Sequence, residues 1–576
     1  MMRTEYHIVF YIISAALLLF PAARAEAEYV HVMDKGTYFL VTIDVQSASP
    51  SVIGSELGSK ILTAVPDFEL LLDSYIDESA GSDSIYDLAL SRVNDIRSQV
   101  HTEYQEEIDA MSDALGPGTP NVRGDGQLSR DELWLLNLIP DVVRETQCTA
   151  LGIYDGSSAT GRTMAARLLD WDVGSFYQLA KIQAVYRINN GSKSITSIGF
   201  LGIQSIISGY SDNNVFVSIL DSATGQPYSS PGKRSYAFDL RYALENENSL
   251  VGIANYMTDA SRNYTFNHNI FLADKDTAAV LENNFSGTGF NMRRALRYDD
   301  STLHAGAEWG FTDAIASVNS FMLEGNHDNF TGEIRNTARW SSIRSQLMLK
   351  GQTVTWTELK EIATYDDGDG PGSMESGDIY SEENIQVILF EPSTGRLEVA
   401  FHPKNSSLPS NPIFELIRAG NEPPGDDFDG DGDTDLLVRN LINGRWHTYM
   451  MENGVPVVQN ARINIYESPD VDLAGTGDFD GDGDTDLLVR NLINGRWHTY
   501  MVENGVPVVQ NARINIYESP DVDLAGTGDF DGDGDTDLLV RNLINGRWHT
   551  YMMENGVPVV QNARIGIYES PDVVIP

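Results

Sequence analysis

Residues 148–174 read CTALGIYDGSSATGRTMAARLLDWDVG, and the reading of this stretch decides the fold. It opens on Cys148, the only cysteine among 576 residues, so an intramolecular disulfide framework is impossible. Two readings of that thiol compete. A free cysteine is most often a buried small hydrophobe, and composition alone favours that fate. The sharper reading is a nucleophile. TALGIYD is strand-like, and Arg167 and Asp170 stand three apart on a strand-turn, where by themselves they read as a plain ion pair.

Working outward from Cys148, short strand-like runs dominate the downstream chain: KIQAVYRI, NVFVSIL, NIFLAD, AAVLEN, IQVILF and RLEVAF. The helical segment YAFDLRYALENENSLVGIANYM interrupts them. Upstream, residues 85–114 show helical spacing with no proline. This is an α+β pattern, compatible with two stacked sheets faced by helices. Between the helices and Cys148, NVRGDGQLSRDE (121–132) fits a calcium loop at Asn121, Asp125, Gly126 and Glu132. Arg123 stands where a ligand belongs, so the segment reads as a degenerate turn.

The carboxyl-terminal quarter is a repeat array. DFDGDGDTDLLVRNLINGRWHTYM begins at Asp427, Asp478 and Asp529, a period of 51 residues. Within each unit five aspartates alternate with other residues: Asp427, Asp429, Asp431, Asp433 and Asp435; Asp478, Asp480, Asp482, Asp484 and Asp486; Asp529, Asp531, Asp533, Asp535 and Asp537. Glycines such as Gly430 and Gly432 let the backbone curl so that oxygen donors converge, as Ca²⁺ requires. A strand-like run follows each loop and no position-12 glutamate is present. The loop therefore resembles the β-hairpin calcium loop of FG-GAP/VCBS propeller repeats. Three units are few for a closed propeller, so the array is expected to stack openly or to associate with other chains or a surface ligand. Trp446, Trp497 and Trp548 read as core of the units. The stretch 402–426, rich in Pro, Ser and Asn, reads as a linker.

The segment from Cys148 resembles the start of the catalytic chain in the acid ceramidase / N-acylethanolamine acid amidase group of N-terminal-nucleophile (Ntn) hydrolases, and that of acyl-CoA:6-aminopenicillanate acyltransferase-like enzymes. Their pattern is Cys-Thr, a short hairpin, then an Arg and an Asp three apart before an aromatic; here these are Cys148, Thr149, Arg167, Asp170 and Trp171. EEIDAMSDALG and ELWLLNLIPDV resemble the pro-segment of that group. SIGFLGIQSIISGYSDNNVFVSIL and the stretch from Tyr242 to Asn283 resemble its later elements, so the likeness spans about residues 29–402. This resemblance implies an αββα sandwich, and that of the repeats an all-β propeller-like domain after it. It implies cleavage between Gln147 and Cys148, which frees an α-amine to serve as base for the thiol. It places Arg167 beside the thiol, Asp170 on the amine and Asn319 among the oxyanion donors, and adds Arg339, with Arg335 as competitor.

The resulting expectation is a signal peptide over 1–25, a pro-segment over 26–147, a catalytic domain over 148–403, a linker over 404–426 and repeats over 427–576. Arg3, the apolar run Ile8 to Phe20 and the Ala23-Arg24-Ala25 site predict export to a secreted, periplasmic or cell-surface location. With 39 Lys+Arg against 83 Asp+Glu, the net charge of -44 excludes a charge-driven grip on nucleic acid or anionic lipid. Expected partners are a small N-acyl amide substrate and structural Ca²⁺ in the repeats, with no catalytic cofactor. Two rival functions are acyl transfer to another amine and a calcium-stabilised surface binding protein without activity.

Overall fold

The computed structural model describes residues 29–143, 147–191, 193–222, 228–284, 294–326, 330–351, 353–368, 370–393 and 395–417. In the repeats it describes 428, 436–439, 445–452, 455–463, 471–480, 485–491, 493–503, 506–514, 516, 522–528, 535–542, 547–554 and 557–565. The expected signal peptide lies outside the described residues. So do Asp427, Asp429, Asp431, Asp433, Asp435, Asp482, Asp484, Asp529, Asp531 and Asp533.

The chain opens with a hairpin, β1 (Val30–Asp34) and β2 (Phe39–Asp44), and then turns helical. α1 (Pro50–Ala64), α2 (Phe68–Ala80), α3 (Asp83–Arg97), α4 (Thr102–Leu115), α5 (Arg130–Asn137) and the short α6 (Ile139–Val142) follow. The helical expectation over 85–114 resolves into two helices: α3 packs on α5, and α4 packs on α1 and, less extensively, on α5. Gly54 makes the α1–α4 contact: a Cβ there would stand 1.9 Å from the Glu107 carbonyl oxygen, so α1 and α4 touch backbone to backbone. In the 121–132 turn Arg123 is ion-paired with Asp77 and Asp83. Glu132 caps α5 reciprocally with Ser129, so that carboxylate is committed to the helix end.

The strands then build two sheets. β3 (Gln147–Ile153), β4 (Met164–Asp170), β5 (Gln183–Asn189), β6 (Ser194–Phe200), β7 (Ser208–Ser211) and β8 (Val215–Asp221) lead into α7 (Tyr236–Asn246) and α8 (Leu250–Met257). After them come β9 (His268–Ala273), β10 (Ala278–Asn283), β11 (Arg294–Arg297), β12 (Ala314–Ser317), α9 (Ile334–Lys350), α10 (Trp356–Ala363), β13 (Asn384–Glu391), β14 (Arg396–Phe401) and β15 (Glu415–Ile417). One sheet runs β1-β2-β5-β6-β7-β8-β9-β10-β11 and the other β12-β3-β4-β13-β14-β15. The stretch read as a linker therefore contributes an edge strand, β15, whose Leu416 pairs with Glu398.

Period-two alternation sorts side chains between the layers. Ala150, Ala165 and Leu169 join the core between the sheets, whereas Leu151, Ile153, Ala166 and Leu168 join a second core beneath α9 and α10. α7 lies across β6, β7 and β8 on the outer face of the larger sheet. The sheets approach closely at Gly152, where a Cβ would meet that of Ala278 at 2.4 Å. Among the described residues no helix is long and apolar enough to cross a membrane.

The repeats form three small antiparallel sheets. β16 (Leu436–Arg439), β17 (Trp446–Glu452) and β18 (Val455–Ile463) make the first. β19 (Val471–Gly477), β20 (Asp486–Asn491), β21 (Trp497–Glu503) and β22 (Val506–Ile514) make the second, and β23 (Val522–Gly528), β24 (Asp537–Asn542), β25 (Trp548–Glu554) and β26 (Val557–Ile565) the third. Trp446, Trp497 and Trp548 are all buried. Successive sheets share cores, as where Phe479 and Trp497 pack with Leu538 and Met553.

Candidate active site

Cys148 sits near the start of β3, opposite Leu169 of β4. Even-numbered β3 residues face the larger sheet, and in the neighbouring strand Arg167, paired with Ala150, faces the same way. Its Nη2 donates to Cys148 Sγ at 3.2 Å and to the Ile219 carbonyl of β8, also at 3.2 Å. Arg167 is fully buried, and its Nε and Nη1 have no hydrogen-bond partner among the described residues. Two donor groups of a buried cation thus stand ready beside the sulfur for a further acceptor. Burial pushes the Cys148 thiol up from its ordinary range, and Arg167 is the strongest influence pulling it back down.

Asp170 is three residues from Arg167 on β4 and therefore faces the opposite way, toward α9. The ion pair that the bare spacing suggested is not the one formed. Arg339 of α9 donates from Nη1 to Asp170 Oδ2 at 3.3 Å, with both side chains fully buried. The same nitrogen reaches the Cys148 carbonyl and Thr149 Oγ1, each at 2.9 Å, and Nη2 reaches Asn319 Oδ1 at 3.1 Å. Burial pushes the Asp170 carboxyl up to about 7, against the pull of Arg339 and Arg167. Arg335, one turn earlier, pairs with Glu375 and Glu383, so its guanidinium is committed elsewhere.

Asn319 stands two residues past the end of β12, and its Oδ1 accepts the backbone N–H of Cys148 at 2.6 Å. Its Nδ2 donates to the Asp221 carbonyl at 3.0 Å. In this arrangement the Asn319 amide receives the nitrogen of Cys148 and spends a donor on β8. The donors left open beside the sulfur belong to Arg167.

Two residues that sequence reasoning missed complete the cluster. Asn336, one helical turn before Arg339, accepts from its Nη2 at 3.0 Å and donates to the Asn319 carbonyl at 3.1 Å. The signal available was a buried-face position three residues from Arg339 on one helix. Asn384 donates to Asp170 Oδ1. It reaches that carboxylate because the β13 register shifts between Asn384 and Gln386, a bulge that turns Asn384 toward the α9 side. No local sequence pattern announced it.

In the repeats, carboxylate oxygens of Asp478, Asp480 and Asp486 lie within 4.8 Å of one another, close enough to hold one metal ion. The donor set is all oxygen, which suits a hard cation. Asp486 is fully buried, and its oxygens also accept the backbone N–H groups of Phe479 and Val502 at 2.9 and 2.7 Å. Asp537 receives Met553 N in the same way. The last aspartate of each of these two loops therefore pins the following hairpin. Asp535, the described loop neighbour of Asp537, precedes β24.

No family model matches the chain, and no curated protein matches it. Among solved structures it is similar to an N-acylethanolamine-hydrolyzing acid amidase ortholog of Caenorhabditis elegans, at 14% identity over 42% of this chain and 93% of that chain, TM-score 0.32. It is similar to a mutant conjugated bile acid hydrolase from Clostridium perfringens, at 10% identity over 47% and 97%, TM-score 0.27. A penicillin V acylase from Agrobacterium tumefaciens gives 10% identity over 46% and 85%, TM-score 0.29.

Proposed function

We propose that this chain is an exported, self-processing cysteine amidohydrolase that cleaves an N-acyl amide through a thioester on Cys148. The observation that carries the reading is the buried Arg167 guanidinium, 3.2 Å from the only thiol and with two donor groups unpartnered beside it. A structural cysteine has no use for a buried cation at hydrogen-bond distance. A nucleophile does, because the cation favours thiolate and can receive a developing oxyanion.

In self-processing, the Cys148 thiolate attacks the Gln147 carbonyl carbon, the peptide bond to its own nitrogen breaks, and that nitrogen leaves as an amine. Water then hydrolyses the thioester and releases the Gln147 carboxylate. The new α-amine lies against Asn319 Oδ1, where the Cys148 N–H lies before cleavage, and serves as the thiol's base. In turnover the thiolate adds to the substrate carbonyl, with Arg167 Nε and Nη1 available to the oxyanion. The amine product leaves with the proton, and water completes the hydrolysis. Arg339 neutralises Asp170 and fixes Thr149 and Asn319, so the strand end that carries the thiol cannot drift.

We read an apolar cavity of about 160 Å³, whose lining includes neither Cys148 nor Arg167, as a candidate site for an acyl chain. Ile76, Ala89, Leu135, Ile139, Val143 and Trp171 line it, between the amino-terminal helices and the residue following Asp170. The repeats are read as calcium-binding modules, Asp478, Asp480 and Asp486 supplying ligands in the second.

The test is direct. Wild-type protein is expected to resolve into two pieces on a denaturing gel, the second beginning Cys-Thr-Ala-Leu, and to hydrolyse members of a fluorogenic N-acyl amide panel. The Cys148→Ala chain should remain intact and inactive. Identical gels for both proteins would end the self-processing claim, and equal turnover would end the nucleophile claim.

A further inference from the structure

The loop that presents Asn319 is held from the opposite sheet by three consecutive strands. Glu282 on β10 is fully buried. Its Oε1 accepts Met322 N at 2.8 Å and Leu323 N at 3.1 Å, and its Oε2 accepts Leu323 N at 3.1 Å and Asn326 Nδ2 at 2.8 Å. Arg297 on β11 donates from Nε to Glu282 Oε1 at 3.0 Å and from Nη2 to the Ala316 carbonyl at 2.7 Å. Asn269 on β9 donates to the carbonyls of Val318 at 3.3 Å and Ser320 at 3.0 Å, the two residues flanking Asn319.

A buried carboxylate is costly unless its charge and lone pairs are met. Apolar side chains would fill this space with less risk. What the polar set adds is direction: apart from the Arg297–Glu282 pair, the hydrogen bonds given above all go to one short stretch, 316–326, on either side of Asn319. That stretch leaves β12, which belongs to the sheet of Cys148, whereas the three anchors belong to the other sheet. The anchors thus tie the position of Asn319 to the spacing of the two sheets. Val318 gives its carbonyl to Asn269, while its side chain joins the core beneath α9 and α10.

We propose that Glu282, Arg297 and Asn269 are positioning residues that act through the 316–326 loop to hold Asn319 against Cys148. The kinetic consequence rests on the reading of Cys148 as nucleophile, whereas the structural consequence does not. Glu282→Gln tests both, because it keeps the shape and puts an NH₂ group where an acceptor is required. The first readout is hydrogen exchange on the intact Cys148→Ala chain. Glu282→Gln in that background should speed exchange of a peptide covering 316–326 by about tenfold or more, while β13 and β14 stay protected.

The second readout is kinetic, on processed protein. kcat should fall by about 10- to 100-fold with KM within about twofold, the pattern of a lost transition-state contact. In an Asn319→Ala background Glu282→Gln should cost nothing more, because its effect passes through Asn319. Unchanged exchange in the loop, or full additivity with Asn319→Ala, overturns the proposal. Faster loop exchange in a protein that hydrolyses no amide would sustain the positioning role and reject the amidase reading. If Glu282→Gln does not fold, Asn269→Ala is put through the same two measurements with the same expectations.

Discussion

Removing the charge of Arg167 while keeping its bulk isolates what that residue does to the thiol. Arg167→Met is the perturbation. At 3.2 Å the guanidinium faces Cys148 Sγ, and an effective dielectric of about 20 makes the attraction to a thiolate about 5 kcal/mol. At about 1.36 kcal/mol per pKa unit, the thiol rises by between about three and four units when that charge is lost. It rises from a value that burial has already lifted, so the variant carries almost no thiolate at pH 8. A more basic thiolate is also a better nucleophile, which returns about half of the loss on a logarithmic scale. The rate of alkylation by iodoacetamide at pH 8 should therefore fall about 50-fold. The pH at which that rate reaches its plateau should climb by the full shift. Because Cys148 is the only cysteine, alkylation read by mass is site-specific without further mutation. The melting temperature should not fall greatly, since Arg167 is a buried cation with two unpartnered groups. A rate within about threefold of wild type, with an unmoved profile, would refute the claim that Arg167 controls the thiol.

Three other expectations follow from the geometry. Asp141 accepts from Ser235 Oγ and Tyr236 N, and burial pushes its carboxyl up from 3.8 to about 7. The folded state thus holds that proton more tightly than the unfolded one, a stabilisation complete below about pH 4 and lost as pH rises through 7. Asp141→Asn, a neutral isostere, should gain on wild type by up to about 4 kcal/mol between pH 4 and 8, read by urea unfolding; a flat difference would contradict this. Gly54→Ala should cost about 3 kcal/mol or prevent folding, because the added Cβ meets the Glu107 carbonyl and backbone cannot yield cheaply. A loss below about 1 kcal/mol would mean that α1 and α4 do not touch there. Dialysis against a chelator should lower the melting temperature of the repeats, and Asp480→Asn should reduce that response; insensitivity of both would remove the metal from the account.

Much of the site was legible from one dimension because strand geometry is periodic. Cys148, Arg167 and Asp170 lie on two neighbouring strands, and alternation determines which face each takes. That same alternation decided against pairing Arg167 with Asp170, a conclusion that needed only the knowledge that β4 runs unbroken from Met164 to Asp170. Asn319 and Arg339 could be proposed by resemblance, but the separation of Arg339 from Arg335 came from the turn of α9. Asn384 was invisible because a bulge, which has no sharp sequence signature here, aims it at Asp170.

By itself, then, the sequence determined what is local or repeated: a solitary thiol at the head of a strand, the alternation of the strands that follow, and aspartates at fixed spacing in units of 51 residues. Those features depend on dihedral preference and side-chain period, which neighbouring residues set. The tertiary structure alone decided which cation meets which anion. Arg167 reaches the sulfur, Arg339 takes Asp170, and Glu282 holds the loop of Asn319 from across the sandwich. The partners in these contacts stand between 19 and 169 residues apart. Burying a charge forces it to find whichever partner the packed sheets and helices deliver, and chain separation carries no information about that.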